Sequence, residues 1–253
     1  MTEVRERPKE VVIDADFLLY TVGFSAEDST ERQAVNRLTE WVTDIVYINL
    51  ECESFTAYLT PKRNFRYDIA KTVGYKSNRT NLEKPKHYDA LKKTLFRMGA
   101  IEVADIEADD AVAIESTKKL NNIWIVHVDK DLNQLPGWHY NPNKNHEYFV
   151  DDFEAIYSFY TQLLTGDRVD AIPGLAGIGP KKAEKILLGC KTEDDLHKAA
   201  LQAYYDKGHG IEYYREQGQL LWLQRTEGEL WQPKGDLDIP KSKLDSSGAS
   251  AAA

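Results

Sequence analysis

Acidic residues stand where the apolar runs of this chain end, and that placement limits the folds it can take. Within residues 106–131, Glu107, Asp109 and Asp110 open an expected helix at 106–114, and Asp129 and Asp131 follow a short apolar run at 123–128. Acids in a first helical turn suit the helix macrodipole, and an apolar run of this length reads as a buried parallel strand. In open α/β sheets the chemistry gathers beyond the carboxyl ends of the strands. Carboxylates packed together there repel one another unless a cation neutralises them, so the unit reads as a metal site.

The same pattern recurs along the chain. Residues 11–16 (VVIDAD) read as a first strand ending on Asp14 and Asp16. Thr30 and Gln33 suit a capping box, followed by Val35, Leu38, Val42, Ile45 and Ile48 on one helical face. A second strand is expected at 55–59, stopped by Pro61, a helix at 87–98, and paired strands at 138–140 and 148–150. Asp151 with Glu154 caps a further helix. Asp167 and Asp170 precede a glycine hairpin, Gly177-Ile-Gly179, that opens onto another helix. Backbone amides there, with Lys181 and Lys182 beside them, form an anion site suited to a duplex backbone. Thr192 starts the next helix, and a last one covers about 211–225. His127, inside an apolar strand, reads as a satisfied core residue.

These eight acids (Asp14, Glu107, Asp109, Asp110, Asp129, Asp131, Asp167 and Asp170) fall in four clusters at element boundaries. Two divalent ions about 4 Å apart need several shared oxygen ligands, and such a pair serves phosphodiester displacement. Ligand sets of oxygen alone point to Mg²⁺, with Mn²⁺ as a substitute.

The net charge of −9 argues against a nucleic-acid partner only as a global average. Between Lys62 and Arg97 there are eleven basic residues against three acids, so charge is sorted by region. Tyr75 interleaved with Lys76 and Arg79 suggests single-strand contact by base stacking and phosphate pairing. This segment, 62–97, is expected to be a mobile insertion rather than core. No window of about 18 apolar residues exists, and Cys52 and Cys190 have no zinc or redox spacing. The expectations are a protein without a membrane partner, in a reducing cytoplasm, that of the host if the chain is phage-encoded.

The expected fold class is α/β: a central, mostly parallel sheet flanked by helices. Its expected divisions are 1–150 for the sheet core with the basic insertion, 151–233 for a helical DNA-binding region holding the 165–188 hairpin segment, and 234–253 for a flexible tail.

With these residues placed, the chain resembles the structure-specific 5′-nuclease family: flap endonucleases, the 5′-nuclease domains of bacterial DNA polymerase I, and phage 5′-3′ exonucleases, most of all those of the T-odd type. The matching segments, in order, are 13–16 (IDAD), 75–79 (YKSNR), 107–110 (EADD), 128–131 (VDKD), and 166–170 (GDRVD) continuing into 172–181 (IPGLAGIGPK). The resemblance implies a PIN-like core with a helical arch and a C-terminal helix-hairpin-helix-like region. It implies two-metal hydrolysis of DNA from 5′ ends or 5′ flaps, extending to the RNA-DNA hybrid of a primer. Asp14, Glu107, Asp109, Asp110 and Asp129 match the first metal cluster, and Asp131, Asp167 and Asp170 the second. Lys76 and Arg79 match the catalytic basic residues of the arch, Tyr75 an aromatic that stacks on a base, and Gly177 and Gly179 a duplex-gripping hairpin whose carbonyls admit K⁺. One departure stands out: the family has a further Asp after its second strand, and Leu59-Thr60-Pro61 supplies none. Asp16 matches no general family ligand.

Two rival readings stand beside this one. Residues 13–16 also look like the nucleophile loop of haloacid-dehalogenase-type phosphatases, with Asp14 phosphorylated, and the missing carboxylate suits a non-catalytic DNA-binding module.

Overall fold

Alternation along the first apolar run builds a strand buried on both faces: Ile13 packs into one core cluster with Trp124 and Val126, and Val12 into another with Ile123 and Ile125. The computed structural model describes residues 6–79 and 83–234. Its first half runs β1 (Glu10–Asp14), α1 (Asp16–Ser25), α2 (Glu31–Thr43), β2 (Ser54–Leu59), α3 (Arg66–Ile69), α4 (Tyr88–Arg97), β3 (Ile101–Glu102), α5 (Ala108–Lys118) and β4 (Trp124–Val126). After a 3₁₀ turn (Lys130–Gln134) come β5 (Gly137–Asn141), β6 (His146–Val150), α6 (Asp152–Thr165), α7 (Pro180–Ile186), α8 (Glu193–Asp206) and α9 (Ile211–Leu221).

The strands form one sheet in the order β3-β2-β1-β4-β5-β6. Every pairing is parallel except β5 with β6, which is the expected antiparallel hairpin. The α/β class and the mostly parallel sheet are as expected, although β3 carries no signal of its own in sequence. The chain winds outward from β1 to β3, then crosses back through α5 to lay β4 on the other side of β1. The order reverses between β1 and β4, and in such sheets the crevice at that switch point is where ligands bind. Asp14 ends β1 and Asp129 follows β4, so both acids fall at its mouth.

Capping boxes at Thr30 with Gln33, Asp151 with Glu154 and Thr192 with Asp195 start α2, α6 and α8. The α2 stripe departs from expectation at its end. A π turn (Asp44–Asn49) adds a residue to the register, burying Val46 and leaving Ile48 65% exposed. The last helix stops at Leu221 rather than near 225, where Trp222 turns to extended backbone. A separate core forms among α6, α8 and α9 around Phe159, Tyr160, Leu163, Tyr204 and Tyr214.

The basic segment is only in part an insertion. Asn64 and Arg66 are buried, and Tyr75 joins the helical core. The expectation that 62–97 lies outside the core is corrected at Arg66 and Tyr75, drawn inward by buried acids, and at Leu91 and Leu95 of α4, which are buried in the core cluster that holds Leu18 and Leu38. Residues 80–82 and the expected tail beyond Lys234 lie outside the described residues. Among the described residues, no helix is long and apolar enough to cross a membrane.

Candidate metal and nucleic-acid site

Asp14, Glu107, Asp109, Asp129, Asp131, Asp167 and Asp170, drawn from four separate segments, line one cleft of about 490 Å³. The end of β1 carries Asp14, the start of α5 carries Glu107 and Asp109, and the turn after β4 carries Asp129 and Asp131. The loop after α6 brings Asp167 and Asp170, and its path requires glycine. Gly166 and Gly174 both have positive φ, and their backbones cross so closely that a Cβ on Gly174 would lie 2.2 Å from the Gly166 nitrogen. A two-residue bridge between Asp167 and Ile172 closes this loop.

Asp110 is the sequence-assigned acid that the cleft does not receive. It is fully buried and turned toward Arg66, whose guanidinium grips it in fork geometry at 2.5 and 2.8 Å. Its two oxygens also accept the backbone N–H groups of Glu107 at 3.1 Å and Gln224 at 3.0 Å. Four donors occupy its four lone-pair directions, which corrects its assignment as a metal ligand. Arg66 further donates to the carbonyls of Leu220 and Trp222, tying the end of α9 to α5. Burial works against its charge, but Asp110 outweighs it and holds the guanidinium well above its ordinary range.

Tyr75 is likewise corrected. It is 4% exposed, and its ring packs edge-on to Tyr67, so in this structure it offers no face to a base. Its hydroxyl lies 2.7 Å from Glu107 and 2.7 Å from Asp170. One proton serves one carboxylate at a time, and the Lys76 ammonium, paired with Glu107 and 3.6 Å from Asp170, supplies the remaining positive charge. Burial disfavours that ammonium, yet Glu107 and Asp170 hold its pKa above the ordinary lysine range. The Lys76 backbone sits at φ +53°, a costly conformation for a side chain of this kind, and its N–H donates to the Asp170 carbonyl at 2.8 Å. Arg79 pairs with Asp170 and donates to the Val169 carbonyl at 3.2 Å.

Burial is the main force on the cleft acids. It lifts the Asp14 carboxyl well above the carboxylate range, with Asp16 and Asp129 adding to it, and does the same to Asp109, with Asp110 and Glu107 adding. Asp131 is pushed up to about 8 by burial and by Asp129 and Asp167. A carboxyl held higher in the folded than in the unfolded chain favours folding fully only below its ordinary value, 3.8 for Asp131, and that advantage is lost as pH rises through about 8. The melting temperature should therefore fall between about pH 4 and pH 8. A flat calorimetric profile across that window would contradict the arrangement.

Clustered oxygen ligands strained by like charge fit a hard divalent cation. Among the described residues, however, no three His, Cys, Asp or Glu side chains converge closely enough to hold one. The chain's own cations take those oxygens instead: Lys76 on Glu107, Arg79 on Asp170, and Lys130 at 3.7 Å from Asp167. Sequence reasoning missed the cleft residue Lys130 and, behind the cleft, the buried Gln162, which donates to Asp131. Lys130 could have been found, since it stands between Asp129 and Asp131, but nothing in sequence marks Gln162.

The glycine hairpin is exposed, with Gly177 at φ +76° and Gly179 capping α7. Lys181 is exposed beside it, while Lys182 donates to the Gly177 carbonyl at 2.8 Å. A K⁺ ion on that carbonyl would compete with this ammonium. His127 is a satisfied core residue as expected, bonded to His139 at 2.8 Å, and burial lowers its pKa to about 3.

No family model matches the chain. It is 27% identical over 210 residues to the 5′-3′ exonuclease of Mycoplasmopsis pulmonis, covering 74% of this chain and 69% of that protein. It is 26% identical over 215 residues to DNA polymerase I of Caldicellulosiruptor bescii, covering 75% of this chain and 25% of that protein. The chain spans a quarter or less of the curated DNA polymerase I relatives from Rhizobium leguminosarum, Caldicellulosiruptor bescii and Bacillus caldotenax. Among solved structures, a flap endonuclease of bacteriophage T5 in complex with DNA and metal ions shares the fold, with a TM-score of 0.65 and 17% identity over 84% of this chain and 88% of that one.

Proposed function

We propose that this chain, which is similar in sequence and in fold to the structure-specific 5′-nucleases, is a divalent-metal-dependent 5′-3′ exonuclease and flap endonuclease acting on DNA. The observation that carries the reading is the convergence of acids from four segments on the switch-point cleft, with Lys76 and Arg79 at the same place. Asp14, Glu107, Asp109 and Asp129 would hold one Mg²⁺ or Mn²⁺, and Asp131, Asp167 and Asp170 a second. Such a pair supplies charge stabilisation to both the attacking and the leaving oxygen of a phosphodiester displacement.

The chain's own residues do the rest. Lys76 and Arg79 release Glu107 and Asp170 and pair with the phosphate next to the scissile bond, the guanidinium through its planar fork. Tyr75 stays buried and orients Glu107 and Asp170. The exposed Gly177, Gly179 and Lys181 contact the duplex backbone, which fixes register without reading sequence.

Titrating Mg²⁺ against 5′-labelled blunt duplex, nicked duplex, 5′ flap and RNA-DNA hybrid tests the reading. Short 5′ products are expected. Release of phosphate from small esters without DNA cleavage would overturn it in favour of a phosphatase with Asp14 as nucleophile. Lys76→Ala should slow single-turnover cleavage by about 10²-fold, the scale of one transition-state donor, while weakening duplex binding far less. Equal loss in both measurements would refute its place at the phosphate.

A further inference from the structure

β1 and β4 are each followed by acids at the cleft, but β2, which lies beside β1, brings none: its end reads Leu59, Thr60, Pro61. A carboxylate stands there all the same. Asp16, the first residue of α1, reaches across to the Thr60 backbone N–H, which lies 3.2 Å from each of its two oxygens. The Thr60 hydroxyl in turn accepts the Ala108 N–H at 2.9 Å. Thr60 thereby links Asp16 to the first turn of α5, between Glu107 and Asp109.

An acid at the start of a helix is ordinary, and its usual work is to cap that helix. Asp16 does not do this work: its oxygens are turned to Thr60, and the N–H at the start of α1 goes to the Asp14 carboxylate at 3.3 Å. Instead its carboxylate lines the cleft with Asp14, Glu107 and Asp109. The Thr60 contacts leave part of its acceptor capacity open, since a carboxylate offers about four lone-pair sites. Pro61 has no N–H to compete for them.

We infer that Asp16 is a metal-holding residue of this cleft, supplying at the end of β2 the carboxylate that β2 itself lacks. The inference rests on the proposed metal-dependent nuclease reading. Thr60 is the positioning residue that aims it.

Mn²⁺ binding to the metal-free protein in the absence of DNA, followed by electron paramagnetic resonance of the free ion, tests this. Asp16→Asn retains an oxygen for the Thr60 N–H and removes only the charge, and it should weaken Mn²⁺ binding by about tenfold, the low end of the losses measured when groups around a metal site are removed. Adding Thr60→Asp to Asp16→Asn, which moves the carboxylate onto β2, should restore binding. If thermal unfolding shows that this double variant does not fold, Pro61→Asp takes its place. Wild-type affinity in Asp16→Asn alongside a large loss in Asp129→Asn would overturn the inference and leave the nuclease reading standing. Wild-type affinity in both variants would overturn the reading itself. A loss in Asp16→Asn that neither added carboxylate restores would overturn the assignment of Asp16 to the end of β2.

Discussion

Asp14→Asn is expected to slow release of 5′ products by about 10³-fold, the roughly 4 kcal/mol of transition-state stabilisation that a displaced divalent ion would forfeit. Asp14 is the acid at the centre of the sheet, and burial together with Asp16 and Asp129 already resists its ionisation. An amide has the same shape but no charge to repel its neighbours. The same variant should therefore melt at a higher temperature than wild type in metal-free buffer at neutral pH, and lose that advantage when Mg²⁺ is added. Single-turnover cleavage of a labelled flap and paired thermal scans measure the two effects. Cleavage within a factor of about ten of wild type would remove Asp14 from the proposed metal cluster.

Arg66→Ala should cost about 3–5 kcal/mol in urea unfolding, the loss typical of stripping one partner from a buried ion pair. Asp110 would be left charged and fully buried, and the Leu220 and Trp222 carbonyls would lose their donor. Replacing Arg66 and Asp110 together with leucines should recover the part of the loss that lies in the stranded charge, while the Leu220 and Trp222 carbonyls and the Glu107 and Gln224 N–H groups stay unpaired. If the single and double variants unfold alike, the loss lies in the freed Leu220 and Trp222 carbonyls and not in the stranded charge.

Much of the fold was legible because its signals are local. The run at 11–13 alternates between two buried faces, the capping boxes at Thr30, Asp151 and Thr192 mark helix starts, and the acids at Asp14 and Asp129 stand just past apolar strands. What could not be read depends on partners distant in sequence. Asp109 and Asp110 are adjacent and chemically identical, yet one lines the cleft and the other is withdrawn, because Arg66 arrives 44 residues earlier in the chain to claim it. Tyr75 reads as a stacking residue beside Lys76 and Arg79, but the helical core forms around its ring. Asp16 read as one of two acids ending the first strand, matching no general family ligand, until the fold placed it on Thr60.

Among the described residues, eight acids and six bases line the cleft, and every base but Lys130 comes from the one stretch between Lys62 and Lys92. Each partner the cleft is proposed to take is therefore already mimicked from within: Lys76 stands where a cation belongs, and Glu107 and Asp170 stand where a phosphate would meet Lys76 and Arg79. A divalent ion that claims those carboxylates frees the two basic side chains, and a phosphate that claims the basic side chains frees the carboxylates. Under the proposed function, binding of the two would be cooperative, and by thermodynamic reciprocity the nucleic acid would tighten the hold on the ion by the same factor as the ion tightens the hold on the nucleic acid.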